Sequence, residues 1–231
     1  MSAVTTLMLI FLPQLLGPVD GFEGRMARVH DPWYALLSWV SLLHPFVTFT
    51  AALGVCLRLR PIAPAAAIIG FLGFWLWAFT EAAQQCLTLF AFDRWRIAYT
   101  AGDQAMRTHL PTLTLLYDGL WDAMYVLLLI AFAVGNTSLA VALVRKRGLS
   151  RLLGALYIGA VVVTLRYLLP EFGWRIPSGA FETWAYPLVQ PMARVLIGVW
   201  LWRHANEQMG SSTTTPVTSS RSRSGYLPRR S

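Results

Sequence analysis

Apolar residues run along this chain in unbroken stretches of about 20, separated by short polar or basic breaks, where a soluble helix would show a narrow stripe. The first stretch, Ala3 to Val19, is short, is broken by Pro13 and has no basic residue before it. It reads as a marginal first span, with a cleaved signal as the weaker alternative. After a loop from Asp20 to Trp33, a second span runs from Tyr34 to Leu57 and stops at Arg58 and Arg60. A third starts after Pro61 and reaches Phe90, longer than the hydrocarbon requires. A polar loop is expected from Asp93 to Pro111. The stretch from Thr112 to Val144 is too short for two spans and too long for one upright span, and it ends at the basic turn Arg145-Lys146-Arg147-Gly148. A fifth span, Leu149 to Leu169, is stopped by Pro170. The loop from Glu171 to Phe181 then leads to a sixth span, Glu182 to Trp202, which contains Pro187 and Pro191.

The pattern predicts an all-α, polytopic transmembrane bundle of about six spans over residues 1–204. A Ser/Thr/Arg-rich tail, 205–231, carries too little apolar surface to bury a core and is expected to be disordered. Composition agrees: of 231 residues, 56% are hydrophobic and only 13% charged, against about 25% charged in soluble domains. The net charge of +8 changes the picture little, because arginines cluster at the predicted helix ends and in the tail, and no basic stripe is interleaved with exposed aromatics. Membrane lipids, and no nucleic acid, are the expected partners. Arg58, Arg60, Arg145, Lys146, Arg147, Arg151, Arg203 and the tail arginines share one side and outnumber Arg25, Arg28, Arg94, Arg96, Arg107 and Arg175 on the other. The excess of positive charge predicts that both termini are cytoplasmic. Trp33, Trp95, Trp174 and Trp184 fit the outer interface, and Trp200 and Trp202 the inner one.

Cys56 and Cys86 fall at opposite ends of their helices, so no disulfide is expected between them. No CxxC or HExxH spacing occurs, and neither a metal nor a cofactor is expected. The sequon at Asn136 lies within a span and is discounted.

Five ionisable residues lie in the apolar stretches: Glu81, Asp118, Asp122, Arg166 and Arg194. A charge at the bilayer centre costs on the order of 3 kcal/mol. Counting from the basic ends at about 1.5 Å per residue sets their depths. Glu81, Asp118 and Asp122 fall near the outer boundary, and Arg166 and His44 in the outer half. Arg194 is deep, nine positions before Arg203. Gln84 and Gln85 share the Glu81 face, and Gln190 shares the Arg194 face. Glu81, Gln84, Gln85, Arg166, Gln190 and Arg194 are therefore the candidate ligand-binding residues of an outward-opening polar pocket. The plain alternative is an ion-pair network that fixes helix packing, with Glu81 bridged to Arg166. Asp118 and Asp122, one helical turn apart, can act as acid and base with His44 and Glu81, although interfacial Asp pairs are commonly just solvated.

Glu81, the basic turn from Leu143 to Leu152 and the ending Gly198-Val199-Trp200-Leu201 together resemble a family of uncharacterised bacterial multi-pass membrane proteins defined as a domain of unknown function. The likeness covers about two thirds of the chain. This sequence departs from the family pattern at Ser150, where the family has Pro, and at Arg194, where it has an acidic residue. The resemblance implies a multi-pass fold and supplies no activity. The leading functional expectation is small-ligand binding or transport. The alternatives are a membrane-embedded enzyme acting on a lipophilic substrate, and an accessory or assembly subunit.

Overall fold

A computed structural model describes residues 1–174 and 186–212, with side chains of the final helix described over 190–205. The expectations for the loop after Trp174, the Glu182 start of the sixth span, Trp184 and the tail from 213 onward lie outside these residues.

All regular structure among the described residues is helical. Four helices are long and apolar enough to cross a membrane. They are α3 (Pro32–Leu59), α4 (Pro64–Leu87) with its continuation, α6 (Gln104–Val144) and α7 (Leu149–Leu168) with the 3-10 turn at its end. The continuation of α4 passes through a π-helical segment (Thr88–Phe92) into α5 (Asp93–Thr100). The other helices are α1 (Ser2–Leu15), α2 (Gly21–Ala27) and α8 (Tyr186–Ser212).

Local chemistry sets the ends. Asp31 caps α3 by accepting the Trp33 N–H at 2.8 Å, with Pro32 in the first turn where its missing N–H costs nothing. Asp103 caps α6 through the Met106 N–H at 3.1 Å. Gly102 and Gly148 take positive φ values of 91° and 60° at the α5–α6 and α6–α7 turns, a region that favours glycine.

The polar segment expected as a loop, Asp93 to Pro111, is helical apart from the turn at Ala101 to Asp103. Two of its charges are turned inward, while Arg94, Asp103 and Arg107 stay exposed. Asp93 and Arg96 are both buried, bonded to each other at 3.0 Å, while Arg96 also donates to the Tyr34 hydroxyl (2.8 Å) and the Arg25 carbonyl (2.6 Å). The Arg96 guanidinium lies over the Phe92 ring at 4.8 Å, and Phe92 stacks on Tyr117 at 4.1 Å. Met26 and Leu110 complete this small core. The expected loop from Asp20 to Trp33 likewise contains α2. With α5 and the first turns of α6, α2 forms a helical cap at one end of the bundle. The opposite end carries Arg58, Arg60 and the turn Arg145 to Arg147. The 41-residue α6 links both ends; at about 1.5 Å per residue it extends roughly 60 Å, twice the hydrocarbon thickness.

Below the cap, α4 packs between α3 and α6, α7 packs on α6, and α8 touches α1, α3 and α7. The helix crossings are close. A Cβ placed on Gly73 would sit 2.6 Å from the Gly135 nitrogen, and one on Gly154 would sit 2.6 Å from that of Val144. Small residues let transmembrane backbones approach in this way. Phe74, Leu139, Leu143 and Leu153 fill the core around these contacts. Ile68, Leu72, Trp75 and Phe79 leave an apolar face of α4 exposed, as a lipid-facing surface requires.

The first helix has its own geometry. Ser2 hydrogen-bonds to Thr48 at 2.9 Å, and Thr5 to His44 Nδ1 at 2.9 Å. These contacts lay α1 antiparallel to the cap-side half of α3. Its 14 residues cover about 21 Å, less than the roughly 30 Å of hydrocarbon. At the other terminus, α8 continues to Ser212, so the first residues of the expected tail are helical.

Candidate functional site

Two cavities lie one above the other between bundle and cap. The deeper has a volume of about 690 Å³ and receives side chains from α1, α3, α4, α6, α7 and α8. Glu81, Gln84 and Gln85 project into it from α4, His44 from α3, and Gln190 and Arg194 from α8. α1 contributes Thr6 and Gln14, α7 contributes Thr164 and Tyr167, and Trp77, Trp121, Tyr125 and Phe132 form an aromatic wall. The cavity nearer the cap, about 510 Å³, is lined by Arg25, Tyr34, Ser38, Ser41, Tyr117, Asp118 and Asp122, among others. Gln85 and Trp121 line both, and so form the boundary between an inner chamber and a vestibule.

Helical periodicity explains this set. Glu81, Gln84 and Gln85 stand at i, i+3 and i+4, and Gln190 and Arg194 at i and i+4, so each group shares a face. Gln84 is fully buried and donates to the Trp121 carbonyl at 2.9 Å, which fixes α4 against α6 beside the chamber. Glu81 is half-buried, its open side being the chamber wall. Arg194 lines the same chamber as Glu81 and His44. His44 is buried, and each of its ring nitrogens has a hydroxyl neighbour, Thr5 at Nδ1 and Thr48 at Nε2 (3.3 Å). The imidazole is thus held as part of the α1–α3 contact.

Of the candidate ligand-binding residues, Arg166 alone lines neither cavity. Its neighbours Val163, Thr164 and Tyr167 face the chamber instead. The acid–base set divides between the two spaces. His44 and Glu81 are in the chamber, and Asp118 and Asp122 are in the vestibule. Asp118 is engaged by Arg25 in a two-pronged ion pair at 2.6 and 3.0 Å. The hydrogen bond to Asp118 raises the Arg25 pKa above its ordinary value, so this arginine stays charged at any working pH. No cluster of three or more His, Cys, Asp or Glu side chains suited to a metal occurs among the described residues.

Two groups of residues have no clear signal in the sequence. One is the Tyr34–Asp93–Arg96 network, whose only sequence trace is an i, i+3 acid–base pair in an aromatic segment. The other is the chamber face of α1, where Thr6 and Gln14 interrupt an otherwise apolar run. Compared with protein-family models, curated proteins and solved structures, the chain matches none.

Proposed function

We propose that this chain is an integral membrane protein that binds or transports a small ligand through an inner chamber reached from an outer vestibule. One observation carries the reading. A cavity of about 690 Å³, within the usual range for ligand sites, collects an acid, an arginine and several amides from separate helices of an apolar bundle. Keeping such groups inside a membrane domain is expensive, and they characteristically mark ligand or ion pathways. The division of Asp118 and Asp122 from His44 weighs against the enzymatic alternative built on those residues.

The basic end, with Arg58, Arg60 and Arg145 to Arg147, faces the cytoplasm in this proposal, and the cap faces outward. α8 then makes a fifth crossing and carries the C-terminus inward. α1 is the sixth apolar segment, and it shields the outer half of the chamber.

Cysteine accessibility tests the proposal. With Cys56 and Cys86 replaced by alanine, Gln85→Cys, Gln190→Cys and Leu139→Cys are treated in intact cells with a membrane-impermeant maleimide; Gln190 is a part-exposed residue that lines the chamber alone. Reaction is expected at the first two positions and not at Leu139, which is fully buried. Silence at Gln190 under conditions where Gln85 reacts would leave only the vestibule open and remove the chamber from the proposal. Reaction confined to inverted vesicles would reverse the orientation.

A further inference from the structure

We infer that the chamber selects a zwitterion: a small molecule carrying both a cationic and an anionic group, with an apolar or aromatic body. This ligand class rests on the proposed chamber and deepens it. The charged side chains that line the chamber among the described residues are Glu81 and Arg194. They sit on different helices, α4 and α8. His44 is taken up by Thr5 and Thr48. Asp118 lies outside the chamber and is balanced by Arg25. The chamber therefore holds one carboxylate and one guanidinium, and its formal charge sums to zero.

That balance decides between ligands. In a low-dielectric enclosure an added net charge has no counter-ion and loses its hydration. A ligand of net charge zero avoids this, and separated charges on such a ligand can still meet both side chains. The ammonium of a zwitterion can donate to Glu81. Its carboxylate can accept from the fork of Arg194, whose five N–H donors can serve a ligand and protein groups together. Gln84 is committed to the Trp121 carbonyl, whereas Gln85 and Gln190 offer amide groups beside the two charges. Trp77, Trp121, Tyr125 and Phe132 give the body of the ligand an aromatic surface.

Three probes on one scaffold separate the charge classes: phenylalanine, phenethylamine and 3-phenylpropionate, titrated at pH 7 against the purified full chain in nanodiscs. Phenylalanine is expected to bind about tenfold more tightly than either singly charged analogue, the difference of one charge-assisted hydrogen bond. Glu81→Gln leaves the chamber with a net positive charge and should shift preference to 3-phenylpropionate. Arg194→Gln should shift it to phenethylamine, whereas Arg194→Lys keeps the preference for phenylalanine. This reversal of order cannot come from loss of folding, which would abolish all binding. A wild-type preference for either singly charged probe would overturn the inference, as would the absence of any ordering among the three. If Gln190→Cys is nevertheless labelled from outside, the chamber reading survives that failure. If the label also fails, both fall.

Discussion

Gly73→Ala tests the packing that holds the chamber's floor. The new methyl group would lie 2.6 Å from the Gly135 nitrogen, 2.8 Å from its Cα and 2.9 Å from the Ala131 carbonyl oxygen. Ordinary contact begins near 3.4 Å, so α4 and α6 must separate by about 0.8 Å in an interior that has little slack. The neighbouring atoms are backbone, so no side-chain rotation relieves the clash. Overpacking of this kind costs about 1–3 kcal/mol, which corresponds to roughly 2–12 °C in melting temperature for a chain of this size. The crossing lies one helical turn below Phe132 and two turns below Glu81, so chamber labelling at Gln190→Cys should change as well. Gly119→Ala and Gly159→Ala are the controls. Both positions are helical, and an added Cβ meets nothing within 4 Å. Alanine there should be neutral or stabilise by about 0.5–1 kcal/mol. Thermal unfolding in detergent, read by tryptophan fluorescence, compares all three variants. If Gly73→Ala melts with the controls, the close approach of α4 and α6 is wrong.

Three further outcomes concern the cap and the bundle ends. Arg96→Met removes the cationic partner of buried Asp93 and leaves it only the Tyr34 hydroxyl, at a cost of about 3–5 kcal/mol; limited trypsin digestion should then cut faster at Arg94 or Arg107, and unchanged resistance would refute the network. Asp118→Asn breaks an ion pair whose side chains are 40% and 39% exposed, so the melting temperature should move by no more than about 1 kcal/mol allows, and a collapse of the cap would show that the pair does more than surface pairs do. In a background without native cysteines, Gln104→Cys should label from outside intact cells and Lys146→Cys only after permeabilisation; the opposite pattern would invert the topology.

The polar faces of the chamber are legible in the sequence because helical spacing is a local property. Glu81, Gln84 and Gln85 on α4, and Gln190 and Arg194 on α8, group by periodicity alone, and each group lines the same cavity. Depth counting supplies no direction around the axis. It sets Arg166 in the same outer layer as His44, yet Val163, Thr164 and Tyr167 are the residues of α7 that face inward. Nor does composition show that the charges of Asp93 and Arg96 are enclosed. A run rich in Asp and Arg reads as loop because such residues are usually hydrated, and only the apposition of Tyr34 and Phe92 makes burial favourable. The apolar length of α1 suggests a span; its hydroxyl contacts to His44 and Thr48 fix which half of α3 it covers.

The π-helical segment at Thr88–Phe92 sets the angular phase between chamber and cap. A π turn carries one residue more than the α-helical turn it replaces, so the α5 side chains are rotated by about 100° relative to an uninterrupted helix. On the chamber side of the segment, Gln84 and Gln85 face α6 and the cavities; on the cap side, Asp93 and Arg96 face Tyr34. Regularising this segment to an α-helix at constant residue number would swing the Asp93–Arg96 pair by about 100° away from Tyr34, whereas deleting one residue between Thr88 and Phe92 would let an ordinary α turn form and keep the phase. The cap's grip on the bundle is therefore encoded in residue number as much as in residue type, and a one-residue insertion there should be more damaging than a one-residue deletion at the same place.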